Sequence, residues 1–227
     1  MLLPALALSL AQPVAGPEAS PHAAVPADAP DPEQLLEVED YPQFALVRDL
    51  SAAAMVELYV SPQGRAMECQ MGKTWGEGDL SDAMCDILRH KHLSPAHLAG
   101  GAPAYSVVRG MARLFLPGTR GGDEILRLDT PADIELEAAH LPGGIGRTQI
   151  RLLLTVASAG TVSDCAADKG EKQGDLVWMI CPTLLTLKPG QRVGIDGAGV
   201  PYVMTLRAAL SAKDTPPPPP ETPGLPD

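Results

Sequence analysis

Val56, Leu58 and Val60 alternate with Glu57, Tyr59 and Ser61, a period of two that predicts a β-strand with one buried face. Ser61-Pro62-Gln63-Gly64 then reads as a turn, with Gly64 suited to a left-handed backbone position, and residues 65–71 predict the returning strand. Met84, Ile87 and Leu88 recur at helical spacing behind Ser81, so a helix is expected from an N-cap at Ser81 to about residue 91. Residues 41–50 predict a short helix or turn before this set, and 106–116 a long third strand after it. The order then recurs. Ile150, Leu152, Leu154 and Val156 alternate with Arg151, Leu153 and Thr155; a turn follows at 157–160, a return strand at 161–167, a helix at 175–187 and a last strand at 203–210. Pro182 falls inside that helix, where it removes a hydrogen bond, so the helix is expected to be short or bent. Each set reads β-β-α-β, an α+β arrangement of antiparallel sheet with a helix on one face.

A fixed offset of 96 residues links the two sets. It carries Cys69 and Cys85 onto Cys165 and Cys181, Gly64 onto Gly160, Gly78-Asp79-Leu80 onto Gly174-Asp175-Leu176, and Gly101 onto Gly197. The chain reads as one module written twice. All four cysteines fall in the repeat, two per copy and sixteen residues apart. Four cysteines permit three pairings, and the repeat selects Cys69–Cys85 with Cys165–Cys181. A cysteine on the second strand of a hairpin and one on the inner face of the covering helix approach within bonding range. A zinc site is disfavoured, because it calls for close C-x₂-C-like pairs. Each bridge would contribute roughly 3 kcal/mol in the chain-entropy model, and paired cysteines indicate an oxidising compartment.

Composition changes this picture little. The net charge is −11, but residues 1–40 hold seven acids and no Lys or Arg, and residues 41–212 are nearly neutral. The acidity reads as solubilising flanks. Nucleic acid is excluded as a partner by the lack of a basic stripe or aromatic cluster. Residues 2–11 form an apolar run of signal-peptide length, too short for a membrane span and without a positive start, since the first basic residue is Arg48. The expected organisation is an export segment at 1–16, a Pro/Ala/acidic disordered spacer at 17–39, a first module at 40–117, a linker at 118–132, a second, divergent module at 133–212 and a Pro-rich disordered tail at 213–227.

The first module resembles the C-terminal domain of the TonB family, in a disulfide-bearing branch. The resemblance rests on Asp40-Tyr41-Pro42, on Val56-Glu57-Leu58-Tyr59-Val60 with the Gly64-Arg65 turn, on Leu80-Ser81, and on His90-Lys91-His92-Leu93-Ser94-Pro95-Ala96. It covers about residues 40–117. The second module lacks the Tyr-Pro opener, carries Leu187-Lys188-Pro189-Gly190 in place of the Pro-Ala run, and is similar mainly through its repeat of the first. The resemblance implies a periplasmic domain that recognises a protein partner, such as an outer-membrane transporter, by strand addition to a sheet edge. The edge expected to serve is the last strand of the first module, with Tyr105, Val107, Arg109, Met111 and Arg113 along it.

Catalytic chemistry finds little support. His90, His92 and His97 are the one cluster that a metal-binding protein or metal-dependent hydrolase could use, and no Asp or Glu nearby completes a ligand set. His90 and His92 also suit the C-terminal end of a helix, where cations are favoured. Met67, Met71 and Met179 read as core fillers. The glycines at 194, 197 and 199 precede a strand, which is the wrong context for a phosphate loop. The expectation is a non-enzymatic binding protein without a cofactor.

Overall fold

The computed structural model describes residues 26–98, 100–168, 174–213 and 215. In chain order these form β1 (Pro26–Asp28), 3-10 turns at Pro32–Gln34 and Val38–Asp40, α1 (Gln43–Val47), β2 (Ala52–Val60), β3 (Ala66–Gly76), α2 (Gly78–His90), β4 (Ala96–Leu98) and β5 (Pro103–Leu114). There follow α3 (Arg120–Leu126), β6 (Ile134–Ala138), β7 (Arg147–Val156), β8 (Val162–Ala167), α4 (Gly174–Leu184), β9 (Arg192–Val193), β10 (Gly199–Val200) and β11 (Tyr202–Ala212). The expected export segment lies outside the described residues, as do the start of the spacer and residues 216–227 of the tail.

Both hairpins form because glycine stands where the chain must turn. Gly64 has φ 77° and Gly160 φ 82°, a left-handed conformation that costs any residue with a Cβ. Space adds a second constraint at Gly64: a Cβ there would lie 2.0 Å from the Leu93 carbonyl oxygen. The chain beyond α2 leans on this turn, with Leu93 N donating to Gly64 O at 2.8 Å. Gly190 N donates likewise to Gly160 O at 3.2 Å. Each returning strand is tied to its helix, through Cys69–Cys85 and Cys165–Cys181.

One nine-stranded sheet contains both halves, with β3-β2-β5-β11-β7-β8 across its width. β5 and β11 meet in parallel over three residues, Tyr105–Val107 against Tyr202–Met204. All other neighbours on this path are antiparallel. Side chains opposite one another in a ladder share a face, so Val107 and Met204 point the same way, into the core beneath α4 with Leu176, Ile180 and Leu184. The neighbouring Val108 points the other way, into the core beneath α2 with Leu80, Met84 and Leu88. The two helices therefore cover opposite faces, and the halves are related by an approximate twofold axis running along the strands.

This geometry leaves each half with one face uncovered by its own helix, and the other half supplies the cover. Tyr59 and Val107 of the first half pack in the core with α4, and Tyr59 donates from its hydroxyl to Val193 O in β9 at 2.8 Å. Reciprocally, Ala96 of β4 and Ala104 pack on Leu153 and Val203. The alternation in β2 led to an expectation of one buried face. In the structure both faces are covered, with Val56, Leu58 and Val60 under α2 and Tyr59 beneath the second half.

Several boundaries differ from the sequence reading. The α2 N-cap position is Glu77, and Ser81 lies a turn inside, buried, its hydroxyl donating to Glu77 O at 3.1 Å. β3 runs on to Gly76, and α4 ends at Leu184, two residues after Pro182. The stretch expected as a linker contains α3, capped by the Thr119 hydroxyl accepting from Gly122 N at 3.0 Å, with Ile125 buried against Ala53 and Met111. The stretch expected as disordered spacer is structured from residue 26. β1 pairs with β4, Leu35 enters the α2 core, and two acids clasp arginines of three strands. Asp31 meets Arg151 at 3.0 Å, and Glu33 meets Arg207 at 2.9 Å and Arg113 at 3.3 Å. Part of the acidity read as solubilising is thus a structural clasp.

Candidate binding edge and the junction behind it

The strand expected to receive a partner is already paired on both sides over its first residues. β5 pairs with β2 along Ser106–Leu114 and with β4 at Pro103–Ala104, and Tyr105–Val107 pair with β11. Tyr105 and Val107 lie in the parallel ladder with β11. At Arg109 the strands diverge, and a side chain takes the place of a neighbour: Thr205 Oγ1 accepts from Arg109 N at 2.7 Å and donates to Arg109 O at 3.3 Å. Met111 is fully buried against Ala53 and Ile125, and Arg113 reaches Glu33, Thr130 and the Leu128 carbonyl. Alternation identifies a strand but does not reveal its neighbours, which here come from the second half.

A charged and aromatic cluster fills the junction. Glu57 accepts from Arg109 and from Arg192, each at 2.6 Å, and Arg192 also reaches Glu68 at 3.2 Å. The Arg192 guanidinium lies 5.5 Å from the centre of the Tyr59 ring, which stacks on Tyr105 with centroids 5.6 Å apart. Burial, with Tyr105 beside it, pushes the Tyr59 hydroxyl up to about 12, so it remains a donor to Val193 O at any physiological pH. Burial also raises the Asp133 carboxyl from its ordinary value, against the Arg207 backbone N–H at 2.7 Å and Arg109 nearby. Asp133, Glu57, Arg109, Met55 and Gln70 line a groove of about 240 Å³. A second hollow of about 230 Å³, lined by Pro62, Pro103, Tyr105, Pro201 and Tyr202, opens beside the first residues of β5 and β11. The Tyr105 hydroxyl there accepts from Ile195 N and the Tyr202 hydroxyl donates to Gly190 O.

The histidines do not assemble a metal centre. Among the described residues no group of three or more His, Cys, Asp or Glu could hold a metal ion. His90 Nδ1 lies 2.6 Å from the Asp86 carbonyl in its own helix, His92 bridges to Arg65, and His97 lies in β4 opposite Pro103. The three histidines thus make separate contacts among the described residues.

The open edges lie elsewhere. Among the described residues β1, β3, β6 and β8 each pair with a single strand, and of these β3 and β8 end the β3-β2-β5-β11-β7-β8 row. Two independent hydrogen bonds fix which peptide groups of β3 point outward. Thr205 on Arg109 places the Arg109 peptide groups on the side away from β2. Alternation then turns those of Glu57 toward β3, those of its partner Gln70 inward, and those of Cys69 and Met71 outward. In agreement, the Cys69 carbonyl accepts from Arg89 of α2 at 3.1 Å. The regular register covers Glu68–Met71, with a shift at either end. β8 is shorter and also shifted, and its Cys165 N–H is taken by Asp164 at 2.7 Å. Bulges and capped peptide groups are devices that limit edge pairing, and β3 carries the longer open stretch. Met67 and Met71, expected as core fillers, are instead exposed along this strand on either side of Cys69, and Met179 is exposed as well.

Both disulfides fit an oxidising compartment, and among the described residues no helix is long and apolar enough to cross a membrane. Comparison with family models, with curated proteins and with solved structures found no match for this chain.

Proposed function

We propose that this chain is a non-enzymatic binding protein of the bacterial envelope, working in the periplasm. In this reading two TonB-C-terminal-like modules are fused through their last strands and recognise an extended segment of a protein partner by strand addition. The offset of 96 supports the two-copy reading. It relates the disulfides, the left-handed Gly64 and Gly160, the left-handed Gly101 and Gly197, and the hydrogen bonds Leu98 N to Ala102 O and Gly194 N to Ala198 O. Because β5 and β11 occupy one another, the partner edge moves to the outside of the sheet.

The observation that carries the proposal is the outward aim of the Cys69 and Met71 peptide groups on a strand paired on one side only. Strand addition supplies main-chain hydrogen bonds for affinity and alternate side-chain contacts for selection. Outer-membrane transporters are the partner class suggested by the family resemblance. Met71→Pro tests this, because it removes an outward N–H while leaving the β2 ladder intact, and proline is tolerated on such edges. Wild type should capture a partner from an outer-membrane extract, and the variant, melting as a folded protein, should lose it. Equal recovery by both, or recovery by neither, would overturn strand addition at β3.

A further inference from the structure

The edge of β3 is closed by one side chain that can be drawn away. Arg89 Nη2 donates to the Cys69 carbonyl at 3.1 Å, while Nη1 is held by Asp86 at 2.8 Å one helical turn earlier. Cys69 itself is buried, whereas the Arg89 side chain is 45% exposed. The guanidinium therefore lies over the acceptor that an added strand would need. A guanidinium has five N–H donors, so Arg89 can keep Asp86 and still bind a second carboxylate once it leaves Cys69. Arg65 and Lys73, both exposed, add positive charge at either end of the strand, against Glu68 and Asp86. Glu68 is partly neutralised by Arg192.

We infer that Arg89 is a latch that selects an acidic partner strand: an extended segment reading apolar-x-acidic-x-apolar, with its carboxylate opposite Cys69. The inference rests on the strand-addition reading above. In an antiparallel ladder the residue opposite Cys69 exchanges both hydrogen bonds with it and shares its face, the face on which α2 and Arg89 lie. A carboxylate there meets the displaced guanidinium in a charge-assisted, two-point contact. On the regular side of the register, the partner residue two positions away stands against Met71, whose flexible thioether adapts to varied apolar side chains. The register shifts at both ends of Glu68–Met71 confine the added strand to about five residues. Binding then exchanges the Arg89–Cys69 bond for a main-chain bond and an ion pair, while a segment with a cation at the central position leaves the latch closed.

The test uses the full chain, labelled with ¹⁵N, and two blocked peptides, Leu-Thr-Asp-Thr-Leu and Leu-Thr-Lys-Thr-Leu, which read alike in both chain directions. Titration followed at the Cys69 and Met71 amides should show shifts and slowed exchange with the acidic peptide. The lysine peptide should bind about tenfold more weakly, as expected when a favourable charge contact becomes unfavourable. Arg89→Ala should bind both peptides equally, and Arg89→Lys should restore the preference. Equal binding of the two peptides by wild type would overturn the latch and leave strand addition standing. No change at either amide, in wild type or in Arg89→Ala, would remove both. Self-association of Arg89→Ala without peptide binding would also overturn the proposal, since Arg89 would then only guard the edge.

Discussion

Replacing Arg192 by methionine is the sharpest test of the way the two halves hold one another. Methionine keeps the apolar stem and removes the charge. The loss has three parts. The bond to Glu57, at 2.6 Å between groups 25% and 22% exposed, belongs to the charge-assisted class worth about 1.5–3 kcal/mol. Glu57 retains Arg109 at 2.6 Å, which lowers the loss to about 1–2 kcal/mol. Glu68 is 55% exposed, so its pair contributes at most about 0.5 kcal/mol. The contact with the Tyr59 ring adds about 0.5–1 kcal/mol. The sum is about 1.5–3.5 kcal/mol, or about 3–14 °C in Tm for a folded unit of this size. Urea unfolding with a double-mutant cycle measures it: Arg192→Met with Glu57→Gln should couple by about 1–2 kcal/mol, and with Glu68→Gln by no more than about 0.5 kcal/mol. A cost below about 0.5 kcal/mol for Arg192→Met, or a coupling to Glu57 no larger than that to Glu68, would refute the idea that this arginine fastens β9 to the first half.

Residues 40–117 expressed alone should give no cooperative unfolding transition and should bind ANS, because Tyr59 and Val107 lose the core that covers them; a sharp melt of this fragment would contradict reciprocal cover. Gly64→Ala should cost well over about 1–2 kcal/mol in urea unfolding, combining a left-handed Cβ penalty with the Leu93 oxygen at 2.0 Å, whereas Gly101→Ala, left-handed in open space, should show the conformational penalty alone. Glu33 and Asp133 should shape the pH dependence with opposite signs. Burial pushes Glu33 up, but the Thr130 hydroxyl with Arg207 and Arg113 outweighs it and holds the carboxyl below 4.5. Its contribution is therefore present above pH 4.5 and lost as pH falls through its folded value, so wild type and Glu33→Gln should converge in stability on acidification. Asp133 is raised, first by burial, so wild type should lose stability relative to Asp133→Asn as pH climbs from 3.8 through its folded value.

What the sequence made legible was local. Val56, Leu58 and Val60 announced a strand, Gly64 and Gly160 their turns, and the sixteen-residue spacing the two bridges, because period and spacing act over a few residues. The junction was not legible, since Tyr59 meets Val193 across 134 residues of chain. Nothing in the alternation of β5 separates a strand open to a partner from one already paired with β11. The misreading of residues 26–39 has a related cause. Proline and acid content describes a segment that cannot build its own core, and this one borrows Arg113, Arg151 and Arg207 from three strands. The place of Arg89 is not legible in the sequence either, because it depends on which peptide groups of β3 face outward, a property of pairing and not of residue type.

The reciprocal cover has a consequence in time. A chain emerging from its N-terminus completes β2, β3, α2 and β5 while the residues that shield Tyr59 and Val107, in α4, β9 and β11, are still to come. During that interval one face of the first sheet stays bare, and the edge of β5 that β11 will take stands open. Cys69 and Cys85 are then made while Cys165 and Cys181 are still to come, so an early bridge between the first two keeps them from pairing wrongly with the later pair. Order of synthesis and oxidation thereby does some of the work of fidelity, and refolding from the full reduced chain, where all four thiols compete, should be the less faithful route.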